Sequence, residues 1–417
     1  MNGVDARAAI TQVHHEEWAR VVASLVSRFG DLDIAEEAAA EAFATAVERW
    51  PADGVPPNPG AWVTTTAIRK AIDRIRRENK RVVKHKEAQM GYDPPDPIDP
   101  PEPLGTIDDQ RLRLIFICCH PALAIQARVA LTLRMVGGLT VPEIARAFLV
   151  QEPAMGRRIT RAKEKIAAAR VPFRVPSAAD LPARVAGVLA VLYLIFNEGY
   201  LATGPHTDPV RLDLTAEAIR LTRLVLALVP EDGEVAGLLA LMLLTEARRT
   251  ARVSASGELI ALDEQDRGAW DVALIAEGHR LVRGRLAAAA AGVAPGRYQI
   301  LAAINAVHTS APHVRDTDWT QIVALYDQLV RLDPSPVIAL NRAVAVAELD
   351  GPAVALAAVD RLEETLAGYH AYHATRAELL RHLGRSHQSR SAYDRAIELA
   401  GNIAETAFLT RRRDQLG

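Results

Sequence analysis

The chain has 417 residues, of which 49 are Lys or Arg and 51 are Asp or Glu, so that its formal net charge is −2. This length predicts two or three domains with sizeable cores. A near-neutral balance excludes binding to nucleic acid through overall basicity, so any such site must be local. The two cysteines, Cys118 and Cys119, are adjacent, which excludes a disulfide scaffold and favours a reducing compartment.

The N-terminal 18 residues lack the long apolar core of a signal peptide. The most apolar run, Val185 to Phe196, is too short to cross a bilayer. We therefore predict a cytoplasmic protein that makes no membrane contact.

Alanine, leucine, arginine and glutamate dominate the chain, and apolar residues recur at helical spacing. Short β-branched runs of period two and hairpin turn pairs are almost absent. These patterns predict an all-α fold.

Charge is segregated in the N-terminal part. Residues 31–53 hold seven acids and one base, whereas residues 69–86 hold nine bases and two acids. Trp62 and three threonines precede the second stretch, and an aromatic ring beside hydroxyl groups and a basic helix suits stacking on single-stranded DNA. The acidic helix would dock on a basic protein surface. The alternative is an ordinary helix hairpin with complementary charged faces.

Residues 92–109 contain six prolines, six acids and no lysine or arginine. Proline fixes φ and removes a donor, so this stretch is expected to be an extended acidic linker. Six carboxylates on a stiff chain can mimic a polyanion in a basic channel. A passive solubilising tether is the alternative.

Residues 139–166, LTVPEIARAFLVQEPAMGRRITRAKEKI, are typical of a helix-turn-helix. Thr140 and Glu143 form a predicted capping box for a helix running to Phe148. Pro153 suits the first turn of a second helix. Met155, Ile159, Ala162 and Ile166 would form the buried side of that helix, and its cations would contact phosphates and guanine edges. A solvated face of a helical protein is the alternative.

After a weaker break at residues 171–182, the C-terminal part shows a faint repeat. Gly351 and Gly384 are 33 residues apart, and each is predicted to follow one helix and precede another. The stretch from Gly384 to Ala400 resembles half of a tetratricopeptide repeat (TPR), with Tyr393, Ala396 and Leu399 at packing positions. We expect a helical-hairpin array that is TPR-like at its C-terminal end, and a loop at HTSAPH, residues 308–313.

The CCHP stretch, Cys118 to Pro121, offers thiols and an imidazole, but adjacent cysteines rarely chelate one metal and no second CxxC or HxxxH motif accompanies them. We expect packed helix here rather than a metal or redox site. No nucleophile triad, P-loop or Rossmann glycine set is evident. We therefore predict no catalytic residue, no cofactor and no metal.

The order of these features resembles the extracytoplasmic-function (ECF) sigma factors, a group of bacterial RNA polymerase sigma subunits. DLDIAEEAAAEAFATAVERW and PNPGAWVTTTAIRKAIDRIRR resemble their region two, and residues 110–170 resemble region four, with Leu149 replacing the usual turn glycine. LIFICCHPAL and FNEGY resemble the subgroup with a long C-terminal TPR-like extension. The resemblance implies a region-two helical bundle in 1–90, an acidic linker in 91–109, a region-four helix-turn-helix domain in 110–172 and a TPR-like regulatory domain in 180–417.

The resemblance also implies partners and residue roles. The partners are core RNA polymerase, through the β′ clamp helices and the β flap, and promoter DNA. The linker would thread the RNA exit path, and the C-terminal array would contact regions two and four or another regulator. The expected polymerase-binding residues are Asp33, Glu36, Glu37, Glu41 and Phe43. Those expected at the −10 element are Trp62, Thr64, Thr65, Arg69, Lys70, Arg74 and Arg77. Those expected at the −35 element are Arg157, Arg158, Arg161, Lys163 and Lys165.

Such a protein is a binding subunit and not an enzyme. Two other classes stay open from the residues alone. One is a helix-turn-helix regulator with a TPR sensor domain that acts without replacing a sigma subunit, and it leaves the charge-segregated N-terminal helices unexplained. The other is a helical scaffold or hydrolase, which would need a convergent catalytic set.

Overall fold

The computed structural model describes residues 3–87, 107–148, 150–174, 176–177, 179–201, 210–254, 258–290 and 292–416. Within these ranges the chain is all-α, as predicted, and Val253 and Leu259 form an isolated antiparallel bridge. Two compact units divide the chain, Met1–Leu192 and Tyr193–Gly417. Most of the predicted acidic linker lies outside the described residues.

The first unit begins with three helices, α1 (Gly3–Phe29), α2 (Leu32–Asp53) and α3 (Pro59–Glu87), each of which packs on the other two. Asp31 caps α2, because its carboxylate accepts hydrogen bonds from the backbone N–H groups of Asp33 and Ile34. An alanine-rich face of α2 lets the helices approach closely and is buried together with Trp50.

Four further helices follow in this unit: α4 (Ile107–Cys118), α5 (Ile125–Met135), α6 (Val141–Ala147) and α7 (Glu152–Ala168). The predicted capping box is confirmed, since Glu143 Oε2 accepts from the Thr140 backbone N–H and hydroxyl, both at 2.7 Å. Pro153 lies in the first turn of α7, as predicted. The helix before the turn ends at Ala147, one residue earlier than expected. The buried side of α7 contains the predicted residues Met155, Ile159, Ala162 and Ile166.

The next helix, α8 (Leu181–Tyr200), contains the boundary between the units. It is 20 residues long and, by length and composition alone, apolar enough to cross a membrane, with 39% of its most apolar window buried. The sequence analysis considered only the apolar run from Val185 to Phe196, which is too short to cross a bilayer. The helix that contains this run is longer. A packed core helix passes the same test, so this property is weak evidence for a membrane segment.

Helices and short connections also make up the second unit, and neighbours in the chain pack on each other. This succession is typical of a helical-hairpin array. Its helices are α9 (Leu212–Leu228), α10 (Gly233–Glu246), α11 (Arg249–Arg252), α12 (Val272–Ala290), α13 (Arg297–Ser310), α14 (Trp319–Leu332), α15 (Pro336–Asp350), α16 (Pro352–Asp360), α17 (Glu363–Leu366), α18 (His370–His382), α19 (Ser386–Leu399) and α20 (Ile403–Asp414).

The two repeat glycines lie where the sequence predicted them. Gly351 separates α15 from α16 and has φ +92°, and Gly384 lies between α18 and α19 with φ +68°. These left-handed conformations favour glycine. Tyr393 and Ala396 are buried in the core of this end of the array, and Leu399 is half-buried.

The prediction of a loop at residues 308–313 is wrong for the first three of these residues. His308 to Ser310 form the last turn of α13, and the irregular chain begins at Ala311. The imidazole of His308 packs edge-on against Trp319, with ring centroids 5.3 Å apart. Packing of this ring against a neighbouring helix therefore extends α13 beyond the expected end.

Candidate nucleic-acid interface

The second helix of the helix-turn-helix carries an exposed stripe of positive charge. Arg157, Arg161 and Lys165 are exposed and lie four residues apart, which places them on one face of α7. Arg158, beside them, is half-buried. These four cations therefore remain accessible to an anionic ligand, as the sequence predicted.

Lys163 is turned away from this stripe. Its side chain is 8% exposed, and its ammonium group lies 2.7 Å from Asp33 Oδ1 and also pairs with Glu36 Oε2. Each residue advances about 100° around a helix, so position 163 lies about 200° from position 161. In this conformation Lys163 therefore faces α2, whereas the sequence assigned it to the −35 element.

Helix α3 offers part of the predicted −10 surface. Thr65 and Arg69 are exposed. Trp62 is half-buried and packs edge-on against Trp50, with centroids 5.5 Å apart. The Thr64 hydroxyl donates to the Gly60 carbonyl at 2.8 Å, so this hydroxyl satisfies the helix backbone rather than pointing to solvent.

The other three cations of α3 that the sequence assigned to the −10 element have partners inside the unit. Lys70 Nζ lies 3.6 Å from Glu41 Oε2, and Arg74 pairs with Glu37. The exposed side chain of Arg77 donates from Nε to the Asp73 carbonyl at 3.3 Å. Complementary faces of α2 and α3, the alternative considered for this segment, thus account for two of the cations. Such partly exposed pairs are weak, about 0–1 kcal/mol, so phosphates can compete for the same cations.

The five residues expected to bind the polymerase divide into two sets. Asp33, Glu37 and Glu41 are exposed, whereas Glu36 and Phe43 are buried. Phe43 is 5% exposed and packs edge-on against His14, with centroids 4.8 Å apart. The sequence assigned Phe43 to polymerase binding, and in this conformation its ring is buried because position 43 falls on the apolar face of α2.

Sequence reasoning did not find the partners of Glu36. Its carboxylate accepts a hydrogen bond from Arg134 Nε, at 2.5 Å, and also pairs with Lys163. Trp18 of α1 lies close by, and its indole N–H donates to the carbonyls of Arg134 and Met135 at 3.2 and 3.1 Å. These contacts join residues about a hundred positions apart, and one sequence carries no local signal for them.

The CCH stretch lies at the end of α4. Cys118 and Cys119 are buried free thiols, and burial raises the pKa of Cys119 to about 11. Burial likewise raises the pKa of Cys118 above its usual range. A raised pKa leaves little thiolate, the form that binds metals and attacks disulfides. Among the residues that the structure describes, no group of three or more His, Cys, Asp or Glu side chains could hold a metal ion.

Comparison with known proteins places these elements in families. Residues 14–81 match the family described as sigma-70 region 2, and residues 113–166 match sigma-70, region 4. Residues 184–286 match a family of unknown function. The chain is also 42% identical, over 414 residues, to an uncharacterized protein of Rhizobium meliloti (strain 1021), and the match covers 95% of this chain and 93% of that protein.

A bundle that matches region 2 and a helix-turn-helix that matches region 4 define a sigma-type, DNA-binding transcription factor. The chain belongs to the sigma-70 family, with a C-terminal extension.

Proposed function

We propose that this protein binds core RNA polymerase and directs it to promoters, where it recognises the −35 and −10 elements and holds the −10 element open. The single observation that carries the proposal is the joint presence in one chain of the region 2 and region 4 matches, since either alone would fit other DNA-binding proteins. In this function the polymerase catalyses nucleotidyl transfer, so the protein is not itself an enzyme, and it works in the cytoplasm where DNA is transcribed.

Readout of the −35 element is assigned to α7. The exposed stripe of Arg157, Arg161 and Lys165, with the half-buried Arg158 beside it, supports this role. The second helix of a helix-turn-helix enters the major groove, where arginine can bind guanine through two hydrogen bonds. Neighbouring cations would then neutralise phosphates and fix the register of the helix.

Recognition of the −10 element is assigned to α3. Thr65, Arg69 and Arg77 are exposed, and Trp62 retains part of its ring surface. Stacking of an unpaired base on an aromatic ring contributes about 1–3 kcal/mol, which would offset the cost of unpairing. Lys70 and Arg74 would exchange Glu41 and Glu37 for phosphates, and those acids would become available to the polymerase.

Polymerase binding is assigned to α2, through Asp33, Glu36, Glu37 and Glu41, on the clamp helices of the β′ subunit, with the β flap as a second contact for region four. The acidic linker would run through the RNA exit path. We assign a regulatory role to the C-terminal array, because solenoids of helical hairpins present extended surfaces to peptides or partner domains.

Association with purified core polymerase tests this function. We expect the full chain to co-purify with core polymerase in a pull-down, and to bind promoter DNA specifically only as that complex. Binding to a palindromic duplex as a dimer, with no association with polymerase, would instead favour a helix-turn-helix regulator that acts beside another sigma subunit. Failure to bind either polymerase or DNA would contradict both functions.

A further inference from the structure

A pocket within the second unit lies between the segment that follows α11 and the helices α18 and α20. Its volume is about 340 Å³, which is in the range of pockets that bind small molecules. Ile260 and Leu262 line it from the segment after α11, Ala374 from α18 and Phe408 from α20. These four side chains are half-buried. Their apolar surface gives the pocket a wall that suits a hydrocarbon or aromatic body.

Two arginines line the same pocket. Arg248 immediately precedes α11 and Arg252 is its last residue, and a spacing of four places both on one side of the helical turn. Arg252 is 8% exposed. Burial lowers the pKa of Arg252 below its usual range, and repulsion from Arg248 lowers it further. Two guanidinium groups held near each other at a poorly hydrated site are costly unless an anion accompanies them.

The two arginines lack a carboxylate partner among the residues that the structure describes. Glu246 and Glu405 are near enough to act on the pKa of Arg252, but each pairs with another side chain. Arg248 Nη2 donates to Asn305 Oδ1 at 3.3 Å, whereas its buried Nε has no hydrogen-bond partner in the described structure. Buried polar atoms are normally paired. A ligand that supplies an acceptor would therefore complete this part of the pocket.

The guanidinium group of Arg252 is held in place by Tyr200. Its Cζ lies 3.4 Å from the centroid of the Tyr200 ring, and its Nη1 donates a hydrogen bond to the Tyr200 carbonyl. Tyr200 is the last residue of FNEGY, a segment that the proposed function does not otherwise use. A cation that is already ordered loses less conformational entropy when it binds an anion. FNEGY thus supplies the residue that positions Arg252.

Ion pairs fix α20 against the opposite wall of the pocket. Arg411 Nη1 lies 3.0 Å from Glu258 Oε2, and Arg411 Nη2 donates to the Leu259 carbonyl at 3.2 Å. Arg412 Nη2 lies 2.9 Å from Glu264 Oε1. The segment after α11 and the last helix are therefore tied together on both sides of the pocket, which keeps its shape defined.

The charges around the pocket select the kind of ligand. The carboxylate of Glu405 already accepts from Asn402 Nδ2 at 3.2 Å and lies 3.1 Å from His370 Nε2. With a neutral imidazole, Arg248 and Arg252 outweigh this single acid by one positive charge. One excess positive charge beside an apolar wall fits a monoanion with an apolar body better than it fits inorganic phosphate.

We propose that this pocket binds a small amphipathic carboxylate, whose carboxylate group lies at Arg248 and Arg252 and whose apolar body packs against Ile260, Leu262 and Phe408. Guanidinium groups bind carboxylates through charge-assisted hydrogen bonds, often two at a time. The Nε of Arg248 gains the partner it lacks. All of the residues that form the site belong to the second unit, so this inference does not depend on polymerase binding.

Calorimetric titration of the full chain tests the ligand class. The probes are butanoate, octanoate and phenylacetate, and each is compared with its own neutral amide. We expect at least one of these acids to bind in a one-to-one complex, about tenfold or more tightly than its amide, because the amide lacks the charge that the arginines recognise. Inorganic phosphate should bind more weakly than that acid, because it makes no use of the apolar wall.

Hydrogen exchange of the unaltered chain locates the bound acid without any substitution. We expect the acid that binds to slow amide exchange in residues 258–265 and in α20, and to leave exchange in α12 unchanged.

Two variants test the residues of the pocket. Arg252→Gln should weaken binding of the acid about tenfold or more through the lost charge, whereas Arg280→Gln, at an exposed position of α12, should leave it unchanged. Ala374→Leu keeps both arginines and fills part of the pocket, so it should also weaken binding. Thermal unfolding of each variant shows whether it is folded, and the titrations and exchange of the unaltered chain do not depend on that result.

Failure of all three acids to bind would overturn the proposal. Equal affinity for an acid and its amide, or for the acid and phosphate, would refute the ligand class. Slowed exchange confined to other helices, or equal affinities of folded Arg252→Gln and Arg280→Gln, would refute the location. Because no polymerase is present in these measurements, none of these results bears on the proposed function.

Discussion

At the scale of single residues, His308 makes the stability of the C-terminal unit depend on pH. Its imidazole is half-buried near the guanidinium groups of Arg248 and Arg267. Burial, followed by repulsion from those two cations, lowers the pKa of His308 to about 4. An unfolded histidine titrates near 6.5. Between these values the unfolded chain takes up a proton that the folded chain does not, so folding is destabilised as the pH falls.

We predict that the free energy of unfolding of the C-terminal unit decreases from pH 7.5 to pH 4, by up to ~3 kcal/mol from this residue. His308→Gln should flatten the dependence below pH 6.5, because it removes the group that titrates. Urea unfolding midpoints at a series of pH values measure the effect. His387→Gln, at an exposed position of α19, is the control. An equally steep dependence in His308→Gln and in this control would contradict the assignment.

The sequence alone predicted which cations of α7 are exposed, but it did not predict where Lys163 lies. The exposed cations of α7 follow from helical spacing and an apolar opposite face. Lys163 was missed because it occupies the edge of that face, where a long side chain can reach either solvent or a neighbouring helix. Which of the two it reaches depends on Asp33 and Glu36, 127 or more residues away.

At the scale of elements, the residues that predicted where helices begin and end lie at those helix ends themselves. The Thr140 and Glu143 pair predicted the start of α6, and Pro153 the start of α7. Gly351 and Gly384 predicted two helix ends because their conformations disfavour other residues. The end of α13 was placed too early, since it depends on the packing of His308 against Trp319, and a contact between helices has no local signal.

Alanine substitution at two glycines tests the role of the repeat turn. At Gly384, φ is +68° and a Cβ would meet open space, so Gly384→Ala should cost about 1–2 kcal/mol through backbone strain alone. Gly284 lies within α12, and a Cβ there would also meet open space. Gly284→Ala should therefore stabilise the protein, by about 0.5–1 kcal/mol. Urea unfolding of both variants provides the measurement, and effects of the same sign would refute the explanation.

Removing charges from α7 tests its contact with DNA. We predict that Arg157→Ala/Arg161→Ala weakens promoter binding by the polymerase complex and lowers the slope of log K against log salt. Each lost phosphate contact should reduce that slope by about 0.9, and a lost contact with a base should cost about 1–3 kcal/mol.

Promoter binding measured from low to high salt gives both quantities. The matched control is Arg49→Ala, which removes an exposed cation from α2. If the double variant and the control bind with the same affinity and slope, α7 is not the recognition helix.

At the scale of the whole molecule, composition and periodicity predicted the all-α class, and the resemblance to sigma factors implied the order of the functional segments. They could not predict that regions two and four lie together in one compact unit. That arrangement depends on the ion pairs of Glu36 with Arg134 and Lys163 and on the hydrogen bonds of Trp18, whose partners are distant in sequence. A proline-rich linker between two segments predicts separation along the chain and carries no information on contact in space.

Removal of the C-terminal unit tests its assigned regulatory role. A chain that ends after residue 201 keeps α8 whole and lacks α9 to α20. We expect it to retain association with core polymerase but to give a changed level of transcription, because the regulatory surface is gone. Promoter activity in cells and in a purified system measures the change. The same transcription level and the same response to inducing conditions in both chains would rule out a regulatory array.

The central claim is that this chain makes core polymerase start at promoters. Run-off transcription with purified core polymerase, on templates that carry the upstream sequences recovered with the complex, tests it most directly. We predict a transcript of defined length that requires both the chain and the promoter, and that Arg157→Ala/Arg161→Ala reduces. A defined transcript that core polymerase produces equally well without the chain, or no transcript with it, would contradict the claim.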